Sequence, residues 1–416
     1  MAVTSPTAPA PRSRSIYQQV VADAWQRWGV RVGVAWIGLL LLLAVFSPFI
    51  ASSHPLLMKV EGAWESPLVR HLGKVDVLLL VAFCVAVPLI CLRRLAARTR
   101  WLVWGCAVTL TVVLTITMMD PPSVVVHERY RQLEREGKVE FILRAPLAFS
   151  PNDRVRDREE IVMAGPAWAK AEYAPFGHPL GQTPNNEDVA SRMIHAARIA
   201  LSVGFIATTI EILIGVFVGG LMGYFAGKVD LIGMRVVEIF EFIPTLYLLL
   251  MFVAFFPGDY PEVLPGIRVQ RIYMIMLIIG LTGWAGYARY VRAEFLKLRR
   301  QDFVQAAIAC GLPLRSILFR HMLPNGITPV LVTASFGVAS AVLAEATLSF
   351  LGLGLIEEPS WGQLLNQAVR SGTFVWWIAI FPGLAIFITV LSYNMIGEAL
   401  RDAIDPHTQR LQRAGT

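Results

Sequence analysis

Long apolar runs separated by arginine-rich polar segments set the rhythm of this chain. The first covers about 30–51, and two shorter ones follow at about 76–92 and 101–119. Beyond a long polar stretch come five more, at about 198–225, 231–256, 273–291, 328–353 and 374–400. A run of roughly 20 apolar residues, wound as a helix, matches the hydrocarbon thickness of a bilayer. Within lipid only a helix or a closed barrel satisfies its own backbone, and runs of this length favour helices. The pattern therefore predicts an all-α, polytopic membrane protein with about eight transmembrane helices. The 76–92 and 101–119 runs stand near the lower limit of about 17 residues, so a re-entrant hairpin is the other arrangement they allow.

The polar segments assign sides. Arg12, Arg14, Arg27 and Arg31 precede the first run, and Arg93, Arg94, Arg98 and Arg100 separate the second from the third. Positive charge stays in the cytosol, so both segments belong inside. The first run is too long for a signal-peptide core and has no A-x-A site, which makes it an uncleaved anchor. Arg289, Arg292, Lys297, Arg299, Arg300, Arg315 and Arg320 outnumber Glu294 and Asp302 around a later loop, while Asp259, Glu262, Glu357 and Glu358 fall on loops of the opposite side. With eight crossings both termini are cytosolic. The organisation expected is a cytosolic tail over 1–29, an N-terminal membrane region of three spans over 30–119, and an external polar insertion over 120–196. A membrane core over 197–406 and a cytosolic tail over 407–416 complete it. Segment 52–74 is external too, and the insertion should be mainly irregular with one helix near 127–136.

Composition agrees, with 55% hydrophobic and 16% charged residues, far from the soluble range. The net charge of +7 is the excess that basic cytosolic loops give a membrane chain, and it points to the lipid bilayer, with no nucleic acid among the partners. The four cysteines show no metal-ligand spacing and the insertion contains none, so no disulfide framework is expected. His127-Glu128 begins like H-E-x-x-H, but Arg131 stands where the second histidine is required.

The segment 301–325, QDFVQAAIACGLPLRSILFRHMLPN, interrupts two apolar runs and is too patterned for a slack linker. Asp302 can cap a helix whose small residues Ala306, Ala307 and Ala309 let another backbone approach, and Gly311 supplies a left-handed break. Pro313 opens a second helix with Leu314, Ile317 and Leu318 at helical spacing, and Pro324 is expected to close it.

Gln305-Ala306-Ala307, then Gly311, then His321-Met322-Leu323-Pro324-Asn325 resemble the EAA loop of ABC-importer permeases, in particular the H-x-L-P-N form of the peptide-importer branch. Gln305 replaces the motif's glutamate. Upstream, HPLGQTPNNEDVASRMIHAARIAL resembles a stretch of the C-type peptide-importer permeases, matching at His178, Gly181, Asp188, Ser191, Arg192 and Arg198. There 182–187 replace the family's T-D-x-x-G-R. Further islands include Val229-Asp230, Ile243-Pro244, Ala288-Arg289, Val291-Arg292, Glu345, 348–354, Ser360-Trp361-Gly362 and Asp405-Pro406, in order over about 177–406.

The resemblance implies an ABC type I importer permease core in a bacterial or archaeal plasma membrane, preceded here by extra N-terminal spans, since the usual C-type subunit has six. It also implies that Gln305, Ala306, Ala307, Gly311, Arg320, His321, Leu323 and Pro324 couple the chain to an ATPase. The implied partners are a second homologous permease, two ATPase subunits or domains and an external solute-binding protein. ATP and Mg would sit on the ATPase, with no cofactor or metal on this chain.

Glu211, Glu238, Glu241 and Glu345 lie inside predicted spans, where an ionisable group must face protein or a watery cavity. Glu238, Glu241 and Glu345 are candidates for the translocation pathway, against the alternative of pairs that only fix packing, such as Glu238 with Arg235. Gly215, Gly219, Gly220 and Gly223 have small-xxx-small spacing and read as helix packing. No complete phosphate-binding loop is present: the stretch from Gly223 to Val229 is one residue short and lacks the closing Ser or Thr. Energy is thus expected from a partner, and the protein is expected not to be an enzyme. The rival reading is a secondary, ion-coupled transporter, whose intramembrane acids would carry protons.

Overall fold

The computed structural model describes residues 22–92, 96–119, 128–154, 165–166, 178–256, 262–264, 267–268, 270–355, 358–372 and 375–404. The tail up to residue 21, Arg93, Arg94, His127, Asp259, Glu357 and Asp405-Pro406 lie outside them. In chain order the main helices are α1 (Trp28–Ile50), α2 (Lys74–Cys91), α3 (Ala97–Met118), α4 (Val189–Phe225), α5 (Gly227–Phe242) and α6 (Thr245–Phe255). They are followed by α7 (Arg271–Leu298), α8 (Asp302–Ala309), α9 (Leu314–Phe350), α10 (Trp361–Arg370) and α11 (Trp377–Ile404).

Seven helices among the described residues are long and apolar enough to cross a membrane, where eight were expected. The difference is the 231–256 run, which forms two helices of 16 and 11 residues, α5 and α6. Ile243 is extended (φ −85°, ψ 111°) because the ring of Pro244 crowds a helical residue before it. A second departure runs the other way. Pro324 does not end its helix, and α9 continues for 37 residues from the polar loop to Phe350. A π turn at Ile317–Met322 precedes the proline; a widened turn of this kind makes room for a ring that would otherwise strike the carbonyl four residues back.

The centre of the molecule is the pair α4 and α7. A Cβ at Gly215, Gly219 or Gly223 would strike Tyr287, Ala288 or Arg292 of α7, so one glycine per turn lets the two backbones nearly touch. Packing without side chains in between maximises dispersion contacts, which are the cohesive force available inside lipid. α9 packs on α4 through Val338 and Val342, and α11 joins the same cluster through Ala385 and Ile386. α1 joins them: Trp36 Nε1 donates to Thr389 Oγ1 of α11 at 3.0 Å, and Arg27 pairs with Asp402 at 2.5 Å.

The α2–α3 hairpin is attached more lightly. Phe46 of α1 meets Phe83 edge-on at 5.5 Å, and Asp76 at the start of α2 holds Arg198 of α4 at 2.6 Å. No residue of α2 is buried by protein, as suits a lipid-facing pair.

The polar segments on either side of this hairpin form one body. Strand β1 (Leu57–Val60) pairs antiparallel with β2 (Ala63–Glu65) and, across some 80 residues of chain, with β3 (Val139–Leu143). The helix expected near 127–136 is present as Arg129–Arg135, whereas the strand beside it was not foreseen. Ser53 N donates to Ser150 Oγ at 2.9 Å and Ser150 N to Ser53 Oγ at 2.8 Å. Buried Arg131 clasps Asp153 with two bonds of 2.6 and 3.1 Å. A shared sheet requires 57–65 and 139–143 to lie on one face of the membrane, so the hairpin between them enters and returns.

Candidate coupling site and intramembrane carboxylates

The polar loop is built as two helices around a left-handed turn. Gln301, not Asp302, caps α8, and Asp302 sits in the first helical turn, where a negative charge suits the helix dipole. At the other end Gly311 has φ +70°. Leu312 N donates to Ala307 O at 3.2 Å and Gly311 N to Ile308 O at 2.9 Å, which is the paired C-terminal motif that favours glycine. A Cβ at Gly311 would meet nothing within 4 Å, so within this chain the requirement is one of backbone angle.

Pro313 then starts α9. Inward, Val304 and Ala307 pack with Ile317, Leu318 and Met322 against Phe295 and Leu298 of α7. Outward, Phe303, Ala306, Leu312, Leu314, Arg315, Phe319 and Arg320 are exposed, and Arg315 and Arg320 flank a groove floored by Pro313, Ser316, Phe319 and Pro324. A rigid, basic and apolar knob is thus continuous with a membrane-length helix.

The remaining loop candidates serve this frame. Gln305 Nε2 donates to Arg299 O at 2.7 Å, and Arg299 Nη1 to Phe225 O at the end of α4 at 3.4 Å. His321 Nδ1 lies 3.0 Å from Ser316 O inside the π turn, and Asn325 Nδ2 donates to His321 O at 2.7 Å. Leu323 is half-buried and Pro324 exposed. The loop candidates therefore share one two-helix unit, with Ala307 turned inward, His321 and Leu323 half-buried, and Gln305, Ala306, Gly311, Arg320 and Pro324 exposed.

The carboxylates do not converge. Glu238 is half-buried on α5 and holds the exposed Arg235 at 2.6 Å, while Glu241 pairs with Arg289 of α7. Glu345 is only 3% exposed, and Ser349 Oγ donates to it at 2.7 Å, with the Ser360 hydroxyl also bonded to it. It thereby ties α9 to the start of α10. Among the described residues no hydrogen bond or ion pair links Glu345 to Glu238 or Glu241. Glu211, buried on α4, lies against the backbone of Gly283.

The segment 178–198 closes the other end of the core. Asp188 accepts from Ser191 N at 2.7 Å as the cap of α4, and its second oxygen stands 2.8 Å from His178 Nδ1. Glu187 holds Arg192 at 2.5 Å, and Arg192 reaches Gln363 of α10 at 2.8 Å. The acid of this network, Glu187, is the last residue of the replaced stretch 182–187, and its arginine, Arg192, is a matching position.

Residues 212–410 match the family described as binding-protein-dependent transport system inner membrane component. The oligopeptide transport system permease protein OppC of Haemophilus influenzae is 37% identical over 231 residues, covering 55% of this chain and 70% of that one. The inner membrane ABC transporter permease protein YejE of Escherichia coli is 30% identical over 381 residues, covering 89% of this chain and 92% of that one. This chain is a permease of that family.

Its relatives also include the dipeptide permease DppC of Alkalihalophilus pseudofirmus, 33% identical over 230 residues, 55% of this chain and 72% of that one. Among solved structures, an inward-facing form of the MetNI methionine ABC transporter matches 51% of this permease and 96% of that chain at 20% identity and a TM-score of 0.41. The match to OppC spans little more than half of the permease, whereas that to YejE takes in the N-terminal helices as well.

Proposed function

We propose that this permease is the transmembrane subunit of an ATP-driven, binding-protein-dependent importer and forms half of the translocation pathway for peptides. Segment 301–325 couples it to a separate ATPase subunit. The observation that carries this reading is the continuity of α9. A force on the exposed knob of Phe303, Leu312, Arg315 and Arg320 is passed along α9, which stays helical through the π turn at Ile317–Met322 as far as Phe350.

ATP and Mg would be held by the ATPase, and its binding cycle would swing the helices between inward-open and outward-open states. A second homologous permease completes the pathway, and an external solute-binding protein delivers cargo. Peptide is the cargo class because the relatives named for a substrate are oligopeptide and dipeptide permeases. Both termini are assigned to the cytosol, with 52–74 and 120–196 outside.

Purification from native membranes tests the coupling. Co-eluting ATPase subunits, lost on changing both Arg315 and Arg320 to Glu, are the expected result. An ATPase retained by that variant, or one that never accompanies the wild-type permease, would contradict it.

A further inference from the structure

Between α4 and α7 lies a short helix with a break at each end. α5 begins at an elbow where Ala226 has φ 53° and ψ −163°, a backbone region almost reserved for glycine. It ends at the Ile243-Pro244 break. An alanine stays in such a conformation only if its surroundings hold it there. The surroundings come from α7 and its extension: Arg299, on the threshold of the coupling loop, donates to Phe225 O beside the elbow, and Gln305 of the loop holds Arg299 O.

The face that α5 turns to α7 repeats this theme. Asp230, Met234, Val237 and Glu241 are spaced 4, 3 and 4 residues apart, one stripe of a helix. Val237 and Met234 pack on Trp284, Ala285 and Ala288. At the ends of the stripe, Arg292 binds Asp230 through both Nε and Nη2, the latter at 2.6 Å, and Arg289 binds Glu241. The two arginines are one turn apart on α7, just before the loop.

We propose that Asp230–Arg292 and Glu241–Arg289 form a two-point clamp. It makes α5 and α7 move as one body when the coupling loop is displaced, bending at Ala226 and at Ile243-Pro244. These four are positioning residues for transport, and the inference rests on the coupling role of 301–325. A bidentate arginine–carboxylate pair fixes direction as well as distance, and a second pair 11 residues along α5 removes the remaining rotation. A push on α7 therefore carries α5, with its half-buried Glu238, toward or away from the pathway.

The test is a charge swap in the assembled complex, reconstituted in vesicles with its ATPase and binding-protein partners. Asp230→Arg and Arg292→Asp should each lower uptake about tenfold, since like charges or a lost partner now face each other. The ATPase subunits should still co-purify and hydrolyse ATP at the basal rate. Stimulation by loaded binding protein should disappear with uptake, which a merely structural lesion would not separate from the basal rate.

The double swap should restore both to within about twofold of wild type, as coupled partners do. Singles at the wild-type level, or a double no better than its parents, would overturn the clamp. Should the swapped chains fail to accumulate, cysteines at 230 and 292, in a chain with Cys84, Cys91, Cys106 and Cys310 changed to Ser, give the second measurement. Unbridged, this pair should transport poorly, and joining it with a short, cleavable bifunctional thiol reagent should restore uptake; wild-type uptake before bridging, or no gain on bridging, would overturn the clamp. A wild-type permease that retains no ATPase contradicts the coupling reading and the clamp with it, whereas retention with a failed swap contradicts the clamp alone.

Discussion

Gly311 shows how one residue can matter without touching anything. Its φ of +70° costs a β-branched residue roughly 1–2 kcal/mol, whereas asparagine tolerates it. A Cβ there meets open space, so if only the turn matters Gly311→Asn should transport near the wild-type rate, with Gly311→Ala below it because of the backbone angle. Both, and Gly311→Val with them, should impair uptake if a partner also packs against the glycine. In either case Gly311→Val should insert normally and lose most transport, read as uptake in reconstituted vesicles; wild-type uptake by that variant would remove the loop from the coupling path. Asp230 adds a pH signature. The Arg292 guanidinium bonded to it holds its carboxyl below the ordinary carboxylate range. A lowered value means that the stabilisation is present above the unfolded value and is lost only as pH falls through the lowered one. Melting temperature in detergent for wild type should exceed that of Asp230→Asn by a constant margin between about pH 5 and 8; a margin that vanishes at the acid end would show the pair to be weak.

At the scale of elements, the α4–α7 contact is the most demanding. Gly219→Leu would drive a side chain into the Ala288 carbonyl, and overpacking of this kind costs about 1–3 kcal/mol or more. A lower melting temperature and poor recovery from membranes are expected, while Gly38→Leu, open on the lipid side of α1, should leave both unchanged. This contact was legible in the sequence because glycines four apart lie on one helix face whatever the fold. The break at Gly311 was legible for the same local reason. Pro324 misled, since a proline need not end a helix: here a π turn precedes it and the helix runs on past it and past Pro329. The pairing of 57–60 with 139–143 left no local trace, because each strand is too short for a period to stand out and its partner is remote. Ile243-Pro244 was recognised as a family island, yet the run through it was read as one span; hydropathy records length and is blind to a single extended residue. The ion pairs Asp230–Arg292 and Glu241–Arg289 join positions known separately from the sequence, and only the packing of α5 on α7 brings them together.

For the whole molecule, the sheet formed by 57–65 and 139–143 puts two polar segments on one side, and the proposed orientation has that side outside because Arg98 and Arg100 are expected to stay in the cytosol. Gln132 is exposed on the short helix. A cysteine there, in a chain with its native cysteines changed to Ser, should react with a membrane-impermeant reagent in intact cells; protection there with labelling at Arg98→Cys would invert the topology. The likeness to YejE extends over 89% of the chain, and the Arg198–Asp76 and Arg27–Asp402 pairs tie the N-terminal helices to the core. The central claim concerns where the energy enters. The measurement that reaches it most directly is peptide uptake by the complete complex in sealed vesicles, with ATP and with a proton gradient supplied separately. Uptake that requires ATP and the binding protein, and that survives collapse of the gradient, is the result this structure predicts. Uptake driven by the gradient through the permease alone would contradict it.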